Sequence, residues 1–252
     1  MVVVEGVSKL FGQRKVVDNV SITIPKNKVT SLIGPNGAGK STLLGMMSRL
    51  IDPDAGSIKI DDRLIRDWKS DELAKKISIL KQANHLNLRI TVRELVAFGR
   101  FPHSKGRLTA EDDALIDEAI AYMGLTDLEN KYVSELSGGQ RQCAFIAMVV
   151  AQNTDIIFLD EPLNNLDMKH SVEIMQVLRK LVAEKNKTIV IVIHDINFAS
   201  CYSDYIISLK GGALVHEGAT EKIIDTNILR DIYDMEIPIQ TINDQRICVY
   251  FS

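Results

Sequence analysis

The sequence predicts an α/β fold with a mostly parallel central sheet, an N-terminal antiparallel β subdomain and an inserted α-helical subdomain. Continuous apolar runs at 155–159 and 188–193 are typical of parallel strands that are buried on both faces of a sheet. Short β-branched runs separated by polar turns open the chain, as expected for antiparallel strands. Between residues 91 and 150 the periodicity becomes mostly helical, which indicates helices inserted into an α/β chain.

The first third of the chain contains the strands of the predicted antiparallel sheet. Val2 to Val7 and Val20 to Ile24 form apolar runs on either side of a polar turn, and we expect them to pair. An apolar run at 29–33 leads into a glycine-rich turn and then into a helical pattern. The other elements predicted here are a strand, a helix and a strand, at 58–60, 70–76 and 77–80.

The rest of the chain predicts helices first and then returns to strands. Three helices are predicted at 92–99, 110–123 and 140–151, with a loop at 99–109 that is rich in glycine, proline and basic residues. A helix from Ser171 has the apolar spacing of a core-facing helix. Two hairpins are predicted, with turns at Gly211-Gly212 and Asn243-Asp244.

We expect one domain with three parts. The nucleotide-binding α/β core comprises residues 1–82 and 152–225, the helical subdomain residues 83–151, and a C-terminal helix and hairpin residues 226–252. A formal net charge of −3 argues against a general nucleic-acid binder. The three cysteines lack metal-ligand spacing, and we expect them to pack in a reducing compartment. No apolar run reaches the ~18 residues of a membrane span, and no signal peptide is expected.

The glycine-rich turn has the pattern Gly-x-x-x-x-Gly-Lys-Ser between a strand and a helix, which predicts a phosphate-binding P-loop. Backbone N–H groups in such a turn point at a phosphate, supported by the helix dipole. Lys40 is expected to reach the β- and γ-phosphates, and Ser41 to be a ligand of Mg²⁺. The predicted nucleotide contacts are Gly34, Pro35, Asn36, Gly37, Ala38, Gly39, Lys40, Ser41 and Thr42.

Chemically capable groups follow three further predicted strands. Ligands bind at the carboxyl ends of parallel strands, so this convergence predicts a hydrolytic site. Asp160 is expected to hold Mg²⁺, and Glu161 to activate the attacking water. His194 is expected to donate to the γ-phosphate, and Gln82 to contact both Mg²⁺ and the water. Taken singly, these residues would more often be a solvated acidic turn, a structural histidine and a surface glutamine, and the presence of the P-loop reverses that preference.

A second glycine turn stands at the start of a predicted helix and is another anion site by its geometry. The chain has one obvious nucleotide, which the P-loop already holds. A second phosphate clamp is therefore expected to serve the nucleotide of another copy of the chain. The residues of this turn are Ser137, Gly138, Gly139 and Gln140.

With both turns and the acidic strand end, the chain resembles the nucleotide-binding subunits of ABC transporters over nearly its whole length. Leu136 to Gln140 matches the signature motif of that family. The resemblance places Gln82 in the Q-loop, Asp167 in the D-loop and His194 at the switch histidine. It places Phe11 and Val16 against adenine. Within the family, the chain is most similar to the ATPases of ferric-siderophore importers, in the segments 99–103, 145–148 and 166–170.

The resemblance implies an ATPase that uses Mg²⁺ and works as a head-to-tail dimer with ATP between two copies. It further implies permease subunits in the membrane, indirectly a substrate-binding protein, no nucleic acid, and a peripheral position on the cytoplasmic face of the inner membrane. Some of the apolar residues near the Q-loop are expected to form a groove that receives the permease. The others are expected to belong to the core. The whole set is Leu86, Leu88, Ile90, Val96, Phe98 and Phe101.

Three residues depart from the family pattern, and other functions remain open. Phe11 replaces tyrosine, Leu163 replaces threonine, and Cys143 replaces a basic residue on the signature helix. The alternatives are an ABC transporter for another cargo or an exporter, a soluble ABC ATPase of DNA repair or translation, and a P-loop kinase. The stretch 83–135 has neither the heptad run nor the cysteine pair of DNA-repair relatives. A kinase would lack the signature turn.

Overall fold

A computed structural model describes residues 1–81 and 89–250 of the chain. Gln82, Leu86 and Leu88, which the sequence analysis singled out, lie outside the described residues. A six-stranded sheet forms the centre, with the strand order β10-β9-β3-β8-β7-β6. All neighbours in it are parallel except β10 against β9. Its strands are β3 (Val29–Ile33), β6 (Ile77–Leu80), β7 (Ile156–Asp160), β8 (Thr188–Val192), β9 (Tyr205–Lys210) and β10 (Ala213–Ala219).

A four-stranded antiparallel sheet with the order β2-β1-β4-β5 contains the N-terminal strands. Its first two strands are much longer than predicted, because irregular pairing interrupts the alternation that the prediction used. The register of β1 against β2 shifts between Val4 and Val7, where Gly6 has a positive φ of 59°. The strands are β1 (Val2–Phe11), β2 (Arg14–Ile24), β4 (Ala55–Ile60) and β5 (Arg63–Leu64).

The segment predicted as a helical insertion is helical in the structure. Its helices are α3 (Val92–Phe98), α4 (Phe101–Ser104), α5 (Ala110–Tyr122) and α6 (Gly138–Ala151). Capping boxes begin three of them, at Thr91, Thr109 and Ser137. The prediction of a loop throughout 99–109 was wrong, because α4 lies within it. Arg100, just before α4, is buried in a 2.7 Å ion pair with Asp112 and anchors this short helix.

The remaining helices flank the two sheets or follow them. They are α1 (Lys40–Met47), α2 (Ser70–Lys76), α7 (Met168–Lys185), α8 (Ile196–Tyr202), α9 (Thr220–Ile223) and α10 (Thr226–Tyr233). The C-terminal hairpin consists of β11 (Ile239–Ile242) and β12 (Gln245–Cys248). Its turn residues Asn243 and Asp244 have φ angles of 50° and 61°, the two successive positive values that a type I′ turn requires.

The core lies on both faces of the central sheet. Phe158 and Val190, neighbours on β7 and β8, face a cluster that also contains residues of α1 and of the antiparallel sheet. Leu159 and Ile191, one position along, face a second cluster with α3, α5, α6 and α7. Strands covered on both faces explain the unbroken apolar runs of the sequence. The predicted fold class, with its mostly parallel sheet, antiparallel sheet and helical part, is confirmed.

Candidate nucleotide site

The site lies at the carboxyl ends of adjacent parallel strands. The glycine turn follows β3, His194 comes shortly after β8, and Asp160 and Glu161 stand at the end of β7. Because β3, β8 and β7 are neighbours in the sheet, the three groups converge at one edge. Gln82 follows β6, the next strand, but lies outside the described residues.

The glycine turn needs glycine for two separate reasons. Gly34, Gly37 and Gly39 have φ angles of 135°, 76° and 97°, which side chains disfavour. An added Cβ on Gly34 would lie 2.0 Å from the carbonyl oxygen of Leu209, and one on Gly39 2.5 Å from that of Val16. The turn therefore packs tightly against neighbouring backbone. Gly39 caps the start of α1, whose N-terminal N–H groups form an anion site together with the turn.

Tyr233 on α10 supports this turn, although nothing in the sequence pattern singled it out. The Tyr233 hydroxyl lies near the backbone of Gly34. Burial raises the pKa of this phenol to about 12, and the nearby Gly34 N–H opposes the rise. The contact joins residues that are far apart in the chain, so local sequence patterns cannot reveal it.

Lys40 is buried with its ammonium group folded back over the turn. Its Nζ donates to the carbonyl oxygens of Gly34, at 2.7 Å, and Pro35, at 3.0 Å. Burial lowers the pKa of Lys40, and the charges of Glu161 and Asp160 oppose this effect. The ammonium group is thus held within the cleft, ready to pair with an anion.

Ser41 and Asp160 bond to each other across the cleft. The Ser41 hydroxyl donates to Asp160 Oδ1 at 2.7 Å. Burial raises the pKa of Asp160, while the hydrogen bond from Ser41 lowers it. A hydroxyl and a carboxylate side by side are oxygen ligands of the kind that Mg²⁺ takes in nucleotide sites, so the residues present fit this ion.

Glu161 is held from two sides. Its Oε1 lies 2.6 Å from Nε2 of His194, and Asn164 donates to its other oxygen. The side chain is 10% exposed. Its φ of 51° is unusual for a residue with a side chain, and such strained positions cluster at functional sites. The carboxylate therefore has a fixed direction, as a positioned general base requires.

Most of the predicted phosphate-binding residues line a cleft of about 230 Å³, whereas Gly34, Pro35 and Asp160 are not part of its lining. Arg14 also lines the cleft, although it is not among the residues predicted to contact the nucleotide. A Cβ on Gly37 would lie 3.6 Å from the guanidinium of Arg14. Arg14 pairs with Phe11 across β1 and β2, beyond the stretch in which the sequence predicted pairing. The described residues that line the cleft are Arg14, Val16, Asn36, Gly37, Ala38, Gly39, Lys40, Ser41, Thr42, Glu161 and His194.

The residues predicted to contact adenine are separated. Val16 lines the cleft, whereas Phe11 stands outside its lining at the end of β1 and is 53% exposed. Lys9 Nζ lies 5.8 Å from the centre of the Phe11 ring. The aromatic ring is therefore solvent-exposed and does not line the cleft.

The signature turn does not contribute to the cleft among the residues that the structure describes. Ser137 and Gln140 bond to each other, each side chain accepting from the other's backbone N–H, at 3.2 and 3.1 Å. Asp167, from the D-loop, caps α7 and has a side chain that is 64% exposed. Both motifs thus lie on the surface, apart from the phosphate cleft of their own chain.

Two of the three residues that depart from the family pattern, Cys143 and Leu163, pack in or against the core. Cys143 is buried on α6, where burial raises the pKa of its thiol to about 11. Leu163 packs against the core cluster of the helical side. All three cysteines are free thiols. The cysteine on the signature helix thus faces inward, so an exposed basic side chain is not simply replaced by an exposed thiol.

Within residues 1–81 and 89–250, no helix combines the length and the apolar character needed to cross a bilayer.

Comparison with known proteins places this site in a family. The family model described as ABC transporter matches residues 17–164. Over 252 residues, and 100% of both chains, the sequence is 64% identical to the petrobactin import ATP-binding protein YclP of Bacillus subtilis (strain 168). It is 49% identical over 239 residues to the petrobactin import ATP-binding protein FatE of Bacillus anthracis, covering 95% of this chain and 96% of the relative.

A solved structure is similar as well. A dimeric structure of a post-hydrolysis state of the ATP-binding cassette MJ0796, bound to ADP and Pi, has a TM-score of 0.77 at 34% identity. The match covers 87% of this chain and 99% of that chain. The family match, the full-length identity and the geometry of the cleft lead to one conclusion: the chain belongs to the ABC transporter family, as one of its ATP-hydrolysing cassettes.

Proposed function

We propose that this chain is the ATPase subunit of a bacterial ABC importer for iron(III)–siderophore complexes. The observation that carries the hydrolytic part is the pair of bonds beside the glycine turn, Ser41 to Asp160 and Glu161 to His194. Together with Lys40 they bring a cation, metal-type oxygen ligands and a fixed carboxylate to one edge of the sheet. These are the groups that phosphoryl transfer to water requires.

In the proposed reaction, water adds to the γ-phosphorus of ATP as the bond to the bridging oxygen of ADP breaks. The N–H groups of the turn 34–42 and Lys40 hold the phosphates. Glu161 accepts the proton of the water, and His194 donates to the γ-phosphate. Ser41 and Asp160 and, on the evidence of the sequence, Gln82 would hold Mg²⁺, which would supply positive charge to offset the charge of the phosphates. Phe11 and Val16 take the adenine.

The same proposal requires a second copy of the chain. Among the described residues, the side chains of Ser137 and Gln140 take part in the capping box of α6, and the turn 137–140 lies outside the phosphate cleft, so we assign it no role for the nucleotide of its own chain. In a head-to-tail dimer it would close over the nucleotide of the partner, with Asp167 beside it. The relative MJ0796 is dimeric in its solved structure, which supports this arrangement.

A membrane permease is the second proposed partner. Binding to it would place the chain peripherally on the cytoplasmic face of the membrane. Phe98 and Phe101, on neighbouring helices, are 52% and 61% exposed, and Leu108 is exposed as well. Val96, from the same predicted group, is fully buried and belongs to the core. An exposed apolar surface of this kind suits a short helix docking in a groove.

The proposed cargo follows from the relatives, two of which are named for petrobactin import. The residues of the ATPase site do not touch the cargo, so a different cargo or an exporter remains the second candidate. Uptake of a radiolabelled ferric siderophore by cells lacking this chain tests the proposal. We expect uptake to be lost and to return with the intact chain but not with Glu161→Gln. Uptake unaffected by the deletion would contradict an importer role for this cargo.

Glu161→Gln tests the hydrolytic role directly. The amide cannot accept the proton of water, so we expect kcat to fall about a hundredfold or more while ATP still binds. Phosphate release by the purified chain measures the rate. The control is Glu173→Gln, which replaces an exposed carboxylate on α7 by the same amide. Full turnover by the Glu161→Gln chain would remove this residue from the mechanism.

A further inference from the structure

His170 lies directly against the signature turn of its own chain. It stands in the first turn of α7, three residues after Asp167. A Cβ built on Gly139 would meet the imidazole atoms Cγ, Cδ2 and Nδ1 of His170 at 2.9, 3.0 and 3.0 Å. A side chain on Gly139 would therefore require the ring to move. The backbone of Gly139 is helical, so no positive φ requires glycine here.

The ring is itself held in place by the D-loop. His170 Nδ1 lies 2.8 Å from Oδ1 of Asp167, and the same oxygen accepts the backbone N–H of His170 at 2.9 Å. Asp167 thereby sets the orientation of the ring, and the ring fills the space beside Gly139. One continuous set of contacts joins the D-loop, His170 and the signature turn.

α6 and α7 contribute to one buried cluster, but they do not pack against each other along their whole length. A cleft of about 380 Å³ opens between them, lined by Gln140 and Cys143 from α6 and by Glu173 and Val177 from α7. A second polar contact joins α6 to the segment after Glu161, where the side-chain amide of Gln142 donates to the Pro162 carbonyl at 3.0 Å. The ring of His170 against Gly139 and the bond from Gln142 to Pro162 thus join the start of α6 to the segment 162–170.

We propose that His170 is a positioning residue, which holds the signature turn at the angle at which it closes over the nucleotide of a second copy. The inference rests on the proposed head-to-tail dimer and adds a residue to it. His170 touches no nucleotide of its own chain, since it does not line the phosphate cleft. Its loss should therefore weaken dimer closure and leave nucleotide binding by the single chain intact.

The test uses the full chain carrying Glu161→Gln, so that ATP-bound dimers accumulate. Three substitutions are compared in it. His170→Leu keeps bulk, but its side chain cannot donate to Asp167, so only the backbone N–H bond remains. His170→Asn places its Cγ, Nδ2 and Oδ1 close to the three ring atoms that meet Gly139, and restores the donor. Lys180→Ala, farther along α7 on the same cleft, is the matched control.

Two quantities are measured with ATP and Mg²⁺. Sedimentation over a range of chain concentrations gives the dimer dissociation constant, and ATP titration below that range gives the affinity of the single chain. We expect His170→Leu to weaken the dimer about tenfold, a coupling typical of residues in contact, with ATP affinity changed less than about twofold. His170→Asn should return the dimer to within about threefold of the parent, and Lys180→Ala should match the parent.

Each outcome has a defined meaning. A His170→Leu dimer as tight as the parent overturns the inference alone, as does a His170→Asn dimer as weak as that of His170→Leu. Equal losses of ATP affinity and dimerisation would indicate a general structural role and also overturn it. If the parent itself forms no dimer with ATP, the head-to-tail proposal falls as well. Should His170→Leu fail to fold, His170→Gln gives the same comparison, because its amide sits one bond too far from Asp167.

Discussion

The two glycine turns of this molecule, 34–42 and 137–140, both stand at the start of a helix but use glycine differently. In the first turn, glycine permits positive φ angles and close backbone contact. In the second, the backbone is helical, and glycine at 139 leaves room for the ring of His170. Within the first turn, Lys40 donates to the carbonyl of Gly34, and Ser41 donates to Asp160. In the second turn, Ser137 and Gln140 hydrogen-bond to each other in a capping box.

The difference shows that a glycine-rich helix start becomes a binding site only when the tertiary structure brings other groups to it. For the first turn, those groups are the side chains of Asp160 and His194, which lie at the ends of neighbouring strands. Within the described residues, the second turn finds no cation or carboxylate pair of the same kind, which is why we assign it to the nucleotide of another copy. Four substitutions test this contrast, and they follow from the largest expected effect to the smallest.

Asp112→Asn should loosen the segment that carries the second turn and spare the first. The change leaves Arg100 buried without its charge partner, which costs about 3–5 kcal/mol of unfolding free energy. Urea unfolding measures the loss, and ATP titration at low temperature should show unchanged affinity. A similar exchange at the exposed Asp117, Asp117→Asn, is the control. Equal stability of the two variants would contradict a buried, energetically important pair.

The same residue predicts a pH dependence. Hydrogen bonds from Thr109 and the Arg100 guanidinium lower the pKa of Asp112 from 3.8 to about 2. Because the folded pKa lies below the unfolded one, this stabilisation is present above pH 4 and is lost as the pH falls towards 2. Asp112→Asn should therefore flatten the acid limb of the stability curve in this window. An unchanged acid limb would show that other carboxylates dominate it.

Lys40→Met should damage the first turn without affecting the second. The variant removes the ammonium group from the cleft, and the loss of a charge-assisted contact should weaken ATP binding about ten- to a hundredfold. Equilibrium dialysis with ATP and Mg²⁺ measures this loss. Lys26→Met, on an exposed lysine of the surface, should bind ATP as the intact chain does. Unchanged affinity in the Lys40→Met chain would contradict the P-loop assignment.

Ser137→Ala removes the cap of the signature helix and should affect the second turn only. Loss of an N-cap side chain costs about 1 kcal/mol of stability. We expect ATP binding by the single chain to be unchanged and ATP-driven dimerisation to weaken. Thr109→Ala removes a capping box of the same type at α5, so it should cost similar stability but leave dimerisation intact. Equal dimerisation by the two variants would argue against a role for the turn in a second copy's site.

Arg14→Met should have the smallest effect. Its guanidinium lines the cleft near Gly37, at the solvent-exposed rim, where an ion pair contributes at most about 1 kcal/mol, or about fivefold in affinity. We expect the ATP dissociation constant to rise a few-fold, and less at high salt. Lys15→Met, next in sequence but paired with Asp18, is the control. If only Lys15→Met weakened ATP binding, the charge that attracts ATP would be that of Lys15, and the assignment to Arg14 would be wrong.

Much of the fold was predictable because its signals are local. The unbroken apolar runs of β7 and β8 reflect strands with neighbours on both faces, and the Asn243-Asp244 turn reflects a local backbone preference. The prediction was wrong at 99–109, where α4 is held by Arg100 and its buried partner twelve residues later. It also ended β1 early, because a bulge near Gly6 breaks the alternation while the pairing continues.

By itself, the sequence determined the chemistry of the site: the glycine turn with Lys40 and Ser41, the acidic end of β7, and the histidine after β8. These groups belong to short motifs whose spacing already implies their task. Only the tertiary structure decided the bond of Glu161 to His194, the place of Arg14 in the cleft, the support of Gly34 by Tyr233 and the packing of His170 on Gly139. The physical reason is that such contacts join distant parts of the chain, and their geometry depends on how whole elements pack.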